Sequence, residues 1–102
     1  MALARGSLTT TPTAVYTSTG QSAITNVYFC NTTSGPINLD VYLVTSGGLA
    51  DVTNIIYQQV GIPAFDTFVM DTEKIVFDDG DAIYATASNS PAIVATVSYM
   101  RI

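Results

Sequence analysis

The regular alternation of apolar and polar side chains is the feature that most limits the folds open to this chain. In residues 37–45 an apolar side chain recurs at every second position, from Ile37 to Leu43, with Asn38 and Asp40 in between. A period of two is the period of a β-strand that covers a core with one face. Other short runs repeat this pattern between turn residues, and no stretch keeps a helical stripe for three turns. The sequence therefore predicts an all-β protein.

The spacing of the alternating runs predicts the architecture. Seven or eight short antiparallel strands separated by turn signals are typical of a β-sandwich or a jelly roll. The runs between residues 23 and 45 further predict an ordinary hairpin, closed by a polar turn at residues 32–36. The predicted strands are residues 14–17, 22–31, 37–45, 55–60, 67–70, 74–77, 82–87 and 92–102.

The length of 102 residues is that of one domain, because two cores would each be too small to offset chain entropy. We expect that domain to span residues 13–102. Residues 1–12 lack a sustained period and contain Gly6 and three successive threonines, which predicts an extended or disordered N-terminal arm. As an arm it would reach a neighbouring subunit through residues that include Ala2, Leu3, Leu8 and Pro12.

The composition indicates that part of the surface is covered by a partner. The chain is 48% hydrophobic and 11% charged, whereas an average soluble domain is about 25% charged. A surface of Thr and Ser explains part of this difference, and burial of a second face in an assembly explains the rest. The expected contacts are the tyrosines Tyr28 and Tyr42, because tyrosine is enriched at interfaces, and the flexible loop at Gly47 and Gly48. Cross-strand packing within one sheet is the alternative for the tyrosines.

The charge balance and hydropathy exclude two classes of partner. The net charge is −5 and the three basic residues are scattered, which disfavours nucleic acid, since phosphate binding requires clustered Lys and Arg. No apolar run reaches membrane length, and the first residues lack the apolar region of a signal peptide. We therefore expect neither a nucleic-acid nor a membrane partner, and synthesis in the cytoplasm.

The reactive side chains do not form a catalytic set. The chain has no His and a single Cys, Cys30, which we expect to be a small buried side chain, with an intermolecular disulfide as the alternative. The acidic turn at residues 78–81 could wrap a hard cation such as calcium, but an Asp-Gly hairpin turn explains it without an ion. A Ser or Thr nucleophile would lack a base. The sequence predicts a non-enzymatic protein without a cofactor, a catalytic residue or a metal site.

Several segments together carry a resemblance to a known group of proteins. These are the strand at residues 23–31 that ends in Asn-Thr-Thr, the strand at residues 37–44, a Ser-Gly-Gly loop, and Lys-Ile-Val-Phe-x-x-Gly-Asp-x-Ile at residues 74–83. In these features the chain, from about residue 14 onward, resembles small all-β virion proteins of tailed bacteriophages. The resemblance implies a structural role in many copies and brings no catalytic residues.

Three functions are consistent with these expectations. The first is a bacteriophage capsid decoration (cement) subunit that packs against other virion proteins and copies of itself, so that its location would be the virion after synthesis in the host cytoplasm. The second is a neck, tail or baseplate accessory subunit. The third is a carbohydrate-binding or host-adhesion module.

Overall fold

The computed structural model describes residues 2–51, 53–70, 75–89 and 93–101. Within these ranges it contains nine strands and no helix, which confirms the all-β class. The strands are β1 (Ala2–Ser7), β2 (Thr13–Thr17), β3 (Ser22–Asn31), β4 (Ile37–Val44), β5 (Ile55–Ile62), β6 (Thr67–Met70), β7 (Ile75–Phe77), β8 (Ala82–Ala87) and β9 (Ile93–Arg101).

The strands form two antiparallel sheets. Sheet A has the order β1-β9-β3-β6, with β7 also paired to β3, and sheet B has the order β2-β8-β4-β5. Some of the strand pairs are nested along the chain, starting from its middle. β4 pairs with β5, then β3 with β6 and β7, then β2 with β8, and finally β1 with β9. Such a chain is one long hairpin rolled into two layers, which is the jelly-roll arrangement. The predicted β-sandwich or jelly roll is confirmed.

The core lies between the two sheets, where the inward side chains of alternating positions meet. Phe29 of sheet A and Leu39 and Ile83 of sheet B are fully buried. Tyr16 reaches across from β2 and contacts the ring of Tyr99, with 4.2 Å between ring centroids. The alternation seen in the sequence therefore separates the core side from the outer side of each sheet.

The expected hairpin between residues 23 and 45 is wrong, because its two strands belong to different sheets. β3 pairs with β9, β6 and β7, whereas β4 pairs with β8 and β5. The connection at residues 32–36 is long enough to cross from one layer to the other. Alternation identifies the buried face of a strand, but it carries no information about the layer to which the strand belongs.

The side chain of Asn31 fastens this crossing. Asn31 is fully buried. Its Nδ2 donates to the carbonyl oxygens of Gly35 (2.9 Å), Ile62 (3.0 Å) and Pro63 (3.2 Å). Its Oδ1 accepts from the backbone N–H (2.9 Å) and the hydroxyl (2.7 Å) of Thr33. One amide therefore joins the end of β3, the crossing and the end of β5.

The first residues are part of the domain rather than a separate arm, which corrects the expected boundary at residue 13. β1 pairs with β9 over six successive positions without a register shift. Leu8 is 1% exposed and its N–H donates to the carbonyl of Ile93 at 2.9 Å. The inward side of β1 carries the small residues Ala4 and Gly6, which pair with Val97 and Ala95. Because small inward residues give little hydropathy contrast, the strand was not visible as an alternating run.

The connecting loops gather at the two ends of the sandwich. The loops at residues 18–21, 45–54 and 78–81 lie at one end, where Ser46 N–H donates to Asp81 Oδ1 (3.0 Å) and Gly20 N–H to Asp79 Oδ1 (2.8 Å). We call this the acidic end. At the opposite end, Phe65 N–H donates to the carbonyl of Thr33 (3.2 Å).

Candidate interaction surfaces

The solvent-facing side of sheet A carries most of the exposed large apolar side chains that the structure describes. Strand neighbours that pair directly point to the same side, so the register defines this surface. Tyr28 of β3 lies at its centre, between Thr96 of β9 and Val69 of β6. We call this surface the sheet A outer face. Its exposed large apolar residues are Leu3, Tyr28, Val69, Val76, Val94 and Met100.

The sheet A outer face has an unusual charge for an acidic protein. Among the described residues it has no carboxylate, and the guanidinium of Arg5, in the same row as Thr96, is its charged group. The described carboxylates lie elsewhere: Asp40 on the outer side of sheet B, Asp66 before β6, and Asp51, Asp78, Asp79 and Asp81 at the acidic end. Asp71 and Glu73 lie outside the described residues. An apolar surface of this kind is typical of a protein contact.

The two tyrosines expected at an interface lie on opposite sides of the molecule. Tyr28 is 37% exposed on the sheet A outer face, and its hydroxyl accepts a hydrogen bond from Asn26 Nδ2 at 3.1 Å. Tyr42 lies on the outer side of sheet B, half-buried beside Tyr84 of β8 and Ile55 of β5. The structure therefore does not bring Tyr28 and Tyr42 together, and only Tyr28 belongs to the apolar face.

The residues expected in the arm have separate positions. Leu3 is 60% exposed on the sheet A outer face, whereas Leu8 is in the core. Ala2 is in β1, where its backbone pairs with Tyr99, and Pro12 is exposed in the loop between β1 and β2. Leu3 therefore adds its side chain to the apolar face.

The Gly47–Gly48 loop lies at the acidic end. Gly47 has a φ of +78°, which favours glycine, and Gly48 N–H donates to the carbonyl of Thr45 at 2.9 Å, closing a tight turn. The following residue, Leu49, is 81% exposed. Its carbonyl accepts from Asn54 Nδ2 at 2.8 Å, so a large apolar side chain is presented on an ordered loop. The glycines alone did not indicate Leu49.

The order of this loop depends on Asp51. Its carboxylate accepts hydrogen bonds from the hydroxyl and the backbone N–H of Thr53, and these bonds lower the pKa of Asp51 below its usual value. Because the folded pKa is lowered, the loop contacts are present at neutral pH and are lost as the pH falls through that lowered pKa.

Replacing Thr53 with valine should raise the pKa of Asp51 toward its usual value, because the hydroxyl donor that contributes most to the lowering is removed. The pKa can be measured by following the Asp51 side-chain carboxyl resonance in an NMR titration. Thr17→Val, in β2, is the matched control and should leave the Asp51 titration unchanged. An unshifted pKa in Thr53→Val would contradict the assignment of the hydroxyl as the main cause.

The acidic turn at residues 78–81 uses its side chains to join loops. Asp81 accepts from Ser46 N–H and from Asp78 N–H (3.0 Å each) with its two carboxylate oxygens, and Asp79 accepts from Gly20 N–H. No group of three His, Cys, Asp or Glu side chains in the described ranges is arranged to hold a metal ion. The carboxylates of this turn therefore hold three loops together by accepting hydrogen bonds from backbone N–H groups.

Gly80→Ala should destabilise the protein by roughly 2 to 4 kcal/mol, since it adds overpacking to backbone strain. Gly80 has a φ of +87°, and an added Cβ would lie 2.8 Å from the Cβ of Ser46. Gly35→Ala is the matched control: nothing lies within 4 Å of the added Cβ. Urea unfolding of both variants measures the difference. Equal stabilities of the two variants would show that the three loops are not closely packed.

Two other features were missed by the sequence analysis. An apolar cleft of about 300 Å³ opens at the side of the sandwich between the two sheets, lined by Leu43, Ile56, Tyr57, Met70 and Ile75. Phe65 is 72% exposed and has a φ of +57°, a conformation that costs a non-glycine residue about 1 kcal/mol or more. The cleft depends on which edge strands face each other, which hydropathy does not encode.

Cys30 is not the buried side chain expected from the sequence. It is half-buried, and it pairs with Val94 of β9 and Thr67 of β6, so it faces outward on sheet A. Its alternation with the buried residues Phe29 and Asn31 places it on the outer side. Cys30 therefore lies at the border of the apolar face, two residues after Tyr28 on the same side of β3.

Within the described part of the chain, no helix is long and apolar enough to cross a membrane. Comparison with known proteins found no matching family model, no matching curated protein and no matching solved structure.

Proposed function

We propose that this protein is a non-enzymatic structural subunit of a bacteriophage particle, in its most specific form a capsid decoration (cement) subunit. The observation that carries the proposal is the sheet A outer face: exposed Leu3, Tyr28 and Val76 on a surface where no described residue is acidic. A surface of that composition gains free energy when it is covered by protein.

The fold is compatible with this role. Jelly rolls form viral capsid proteins, but they also form lectins and cupins, so the fold alone does not select among functions. The resemblance to phage virion proteins seen in the sequence favours the first of these groups. The chemistry of the chain agrees, since the sequence contains no His to serve as a base or metal ligand.

Many copies of the subunit on one particle would make weak individual contacts sufficient for stable binding. A single small face binds weakly, but a subunit repeated by particle symmetry multiplies its contacts with neighbouring capsid proteins and with its own copies. A domain of this size can therefore stabilise a shell when many copies bind to it. The location would be the virion, with synthesis in the host cytoplasm.

Quantitative mass spectrometry of particles purified from the source of this chain tests the proposal. We expect the protein in a fixed ratio to the major shell subunit, at copy numbers in the hundreds for a decoration role. A handful of copies per particle would instead indicate a neck, tail or baseplate accessory. Absence of the protein from purified particles would refute a virion role.

One observation favours a second candidate, a carbohydrate-binding or host-adhesion module. On the sheet A outer face the Tyr28 ring lies beside the amide of Asn26, and the two side chains are hydrogen bonded. An aromatic ring next to an amide is a combination that can contact a sugar. A glycan array with the isolated protein separates the candidates: this one requires reproducible binding that is lost in Tyr28→Ala and retained in Tyr42→Ala.

A further inference from the structure

We infer that the sheet A outer face binds a second copy of this chain in a twofold, face-to-face dimer that places Arg5 over the partner's Tyr28. This inference deepens the proposed structural role and rests on it for its biological meaning. Its test uses the isolated protein, so it can fail or succeed independently of the particle.

The charge distribution indicates where a second copy can bind. Each chain carries a net charge of −5, so two copies repel each other wherever their carboxylates meet. The described carboxylates lie at the acidic end, on sheet B and before β6. Among the surfaces that the described residues form, the sheet A outer face is therefore the one along which two acidic copies can approach with the least repulsion.

The size of the surface fits a reversible dimer. Sheet A is four strands wide and its longest strand, β3, has ten residues. At ~4.8 Å between strands and ~3.3 Å per residue, such a face covers at most about 600 Å² per copy, because the other strands are shorter than β3. Specific interfaces bury about 800 Å² per partner, and weaker, transient ones bury less. The face is therefore large enough for a dimer at the weak end of that range.

The register makes the face complementary to itself. β1 and β3 are the two neighbours of β9, and Arg5 of β1 and Tyr28 of β3 both pair with Thr96. Consider two copies whose sheet A outer faces are stacked, related by a twofold axis that runs parallel to β9 midway between the sheets. In this arrangement β1 of each copy lies opposite β3 of the other. Because the axis is twofold, Arg5 of each copy then lies over Tyr28 of the other copy, which gives two equivalent contacts.

That juxtaposition gives a partner to the charged side chain at the end of this row, on the edge strand β1. Stacked sheets lie about 10 Å apart, a gap that an arginine and a tyrosine side chain fill together. A guanidinium within about 6 Å of a tyrosine ring is attracted to its face, most strongly when water is excluded. In the free protein Arg5 has no described carboxylate beside it on this face, whereas in the dimer it gains an aromatic partner.

Sedimentation equilibrium of the full chain tests the dimer. We expect a reversible dimer for the native protein and roughly tenfold or greater weakening in Tyr28→Glu, because the variant places a carboxylate in the interface. Thr17→Glu, which adds the same charge at an exposed position of β2 in sheet B, is the matched control and should leave the dissociation constant unchanged. Circular dichroism melts check that both variants are folded.

A cross-linking experiment tests the arrangement of the two copies. The axis runs parallel to β9, so Thr96 of one copy faces Thr96 of the other across the ~10 Å between the stacked sheets. That separation is too large for a disulfide but is spanned by a bismaleimide linker of about 10 Å. The linker should therefore join Thr96→Cys/Cys30→Ser chains, which carry a single thiol each, into a covalent dimer, while Thr17→Cys/Cys30→Ser chains should not be joined.

Three results would overturn the inference. A native protein that stays monomeric at millimolar concentration excludes the dimer. Equal weakening by Tyr28→Glu and Thr17→Glu excludes this face. Weakening by Tyr28→Glu without a cross-link between Thr96→Cys/Cys30→Ser chains excludes the axis. A dimer that passes these tests in a protein absent from purified particles would refute the virion role and leave the dimer standing.

Discussion

Replacing Asn31 with alanine should lower the free energy of unfolding by about 3 kcal/mol, a large share of the ~5–15 kcal/mol of a typical domain. The side chain is fully buried, and its loss leaves the carbonyl of Ile62 and the N–H of Thr33 without their partner. Each buried polar group left unsatisfied costs about 1–3 kcal/mol. Urea unfolding followed by circular dichroism measures the effect.

Asn31→Asp separates the hydrogen bonds from the packing at this site. The variant has nearly the same shape, but its carboxylate would face three carbonyl oxygens that now accept from Nδ2. It should therefore be at least as unstable as Asn31→Ala. Asn89→Ala, on an exposed loop residue, is the control and should change stability by less than about 0.5 kcal/mol. A near-native Asn31→Asp would contradict the role given to the amide.

Removing residues 1–8 should unfold the protein or cause it to aggregate. The deletion takes away β1, exposes the edge of β9, and removes Leu8 from the core. Loss of the Leu8 side chain alone is expected to cost about 2–5 kcal/mol. A thermal melt of the truncated chain, compared with the full chain, measures the outcome.

Two point variants make this prediction specific. Leu8→Ala should be strongly destabilising, while Leu3→Ala, at an exposed position of the same segment, should change stability by less than about 0.5 kcal/mol. A truncated protein with native stability would instead support the separate arm that the sequence predicts.

The fold class could be predicted because it depends on a local signal. The alternation in residues 37–45 reappears in β4, with Leu39 and Val41 buried and Asn38 exposed. The class follows from such runs whatever their order in space. The hairpin between β3 and β4 was wrong because assignment of a strand to a layer depends on long-range pairing, here of β3 with β9 and of β4 with β8, which the local pattern does not contain.

The candidate site was predicted in part. Tyr28 was selected for its residue type, but the apolar face around it combines residues from five strands, and its composition depends on the register between them. Tyr42 had the same local pattern and lies on the other sheet. Leu49 and Phe65 were missed because a single apolar residue in a loop has no period from which its exposure can be read.

Hydroxyl-radical footprinting of the assembled protein tests most directly whether the sheet A outer face is a contact surface. Tyr28 and Met100 are both exposed on this face and react readily with hydroxyl radicals, whereas Met70 is buried and Phe65 is exposed elsewhere. The account predicts that assembly protects Tyr28 and Met100, while Phe65 stays reactive and Met70 unreactive in both states. Tyr28 and Met100 that react equally in the free and the assembled protein would contradict it.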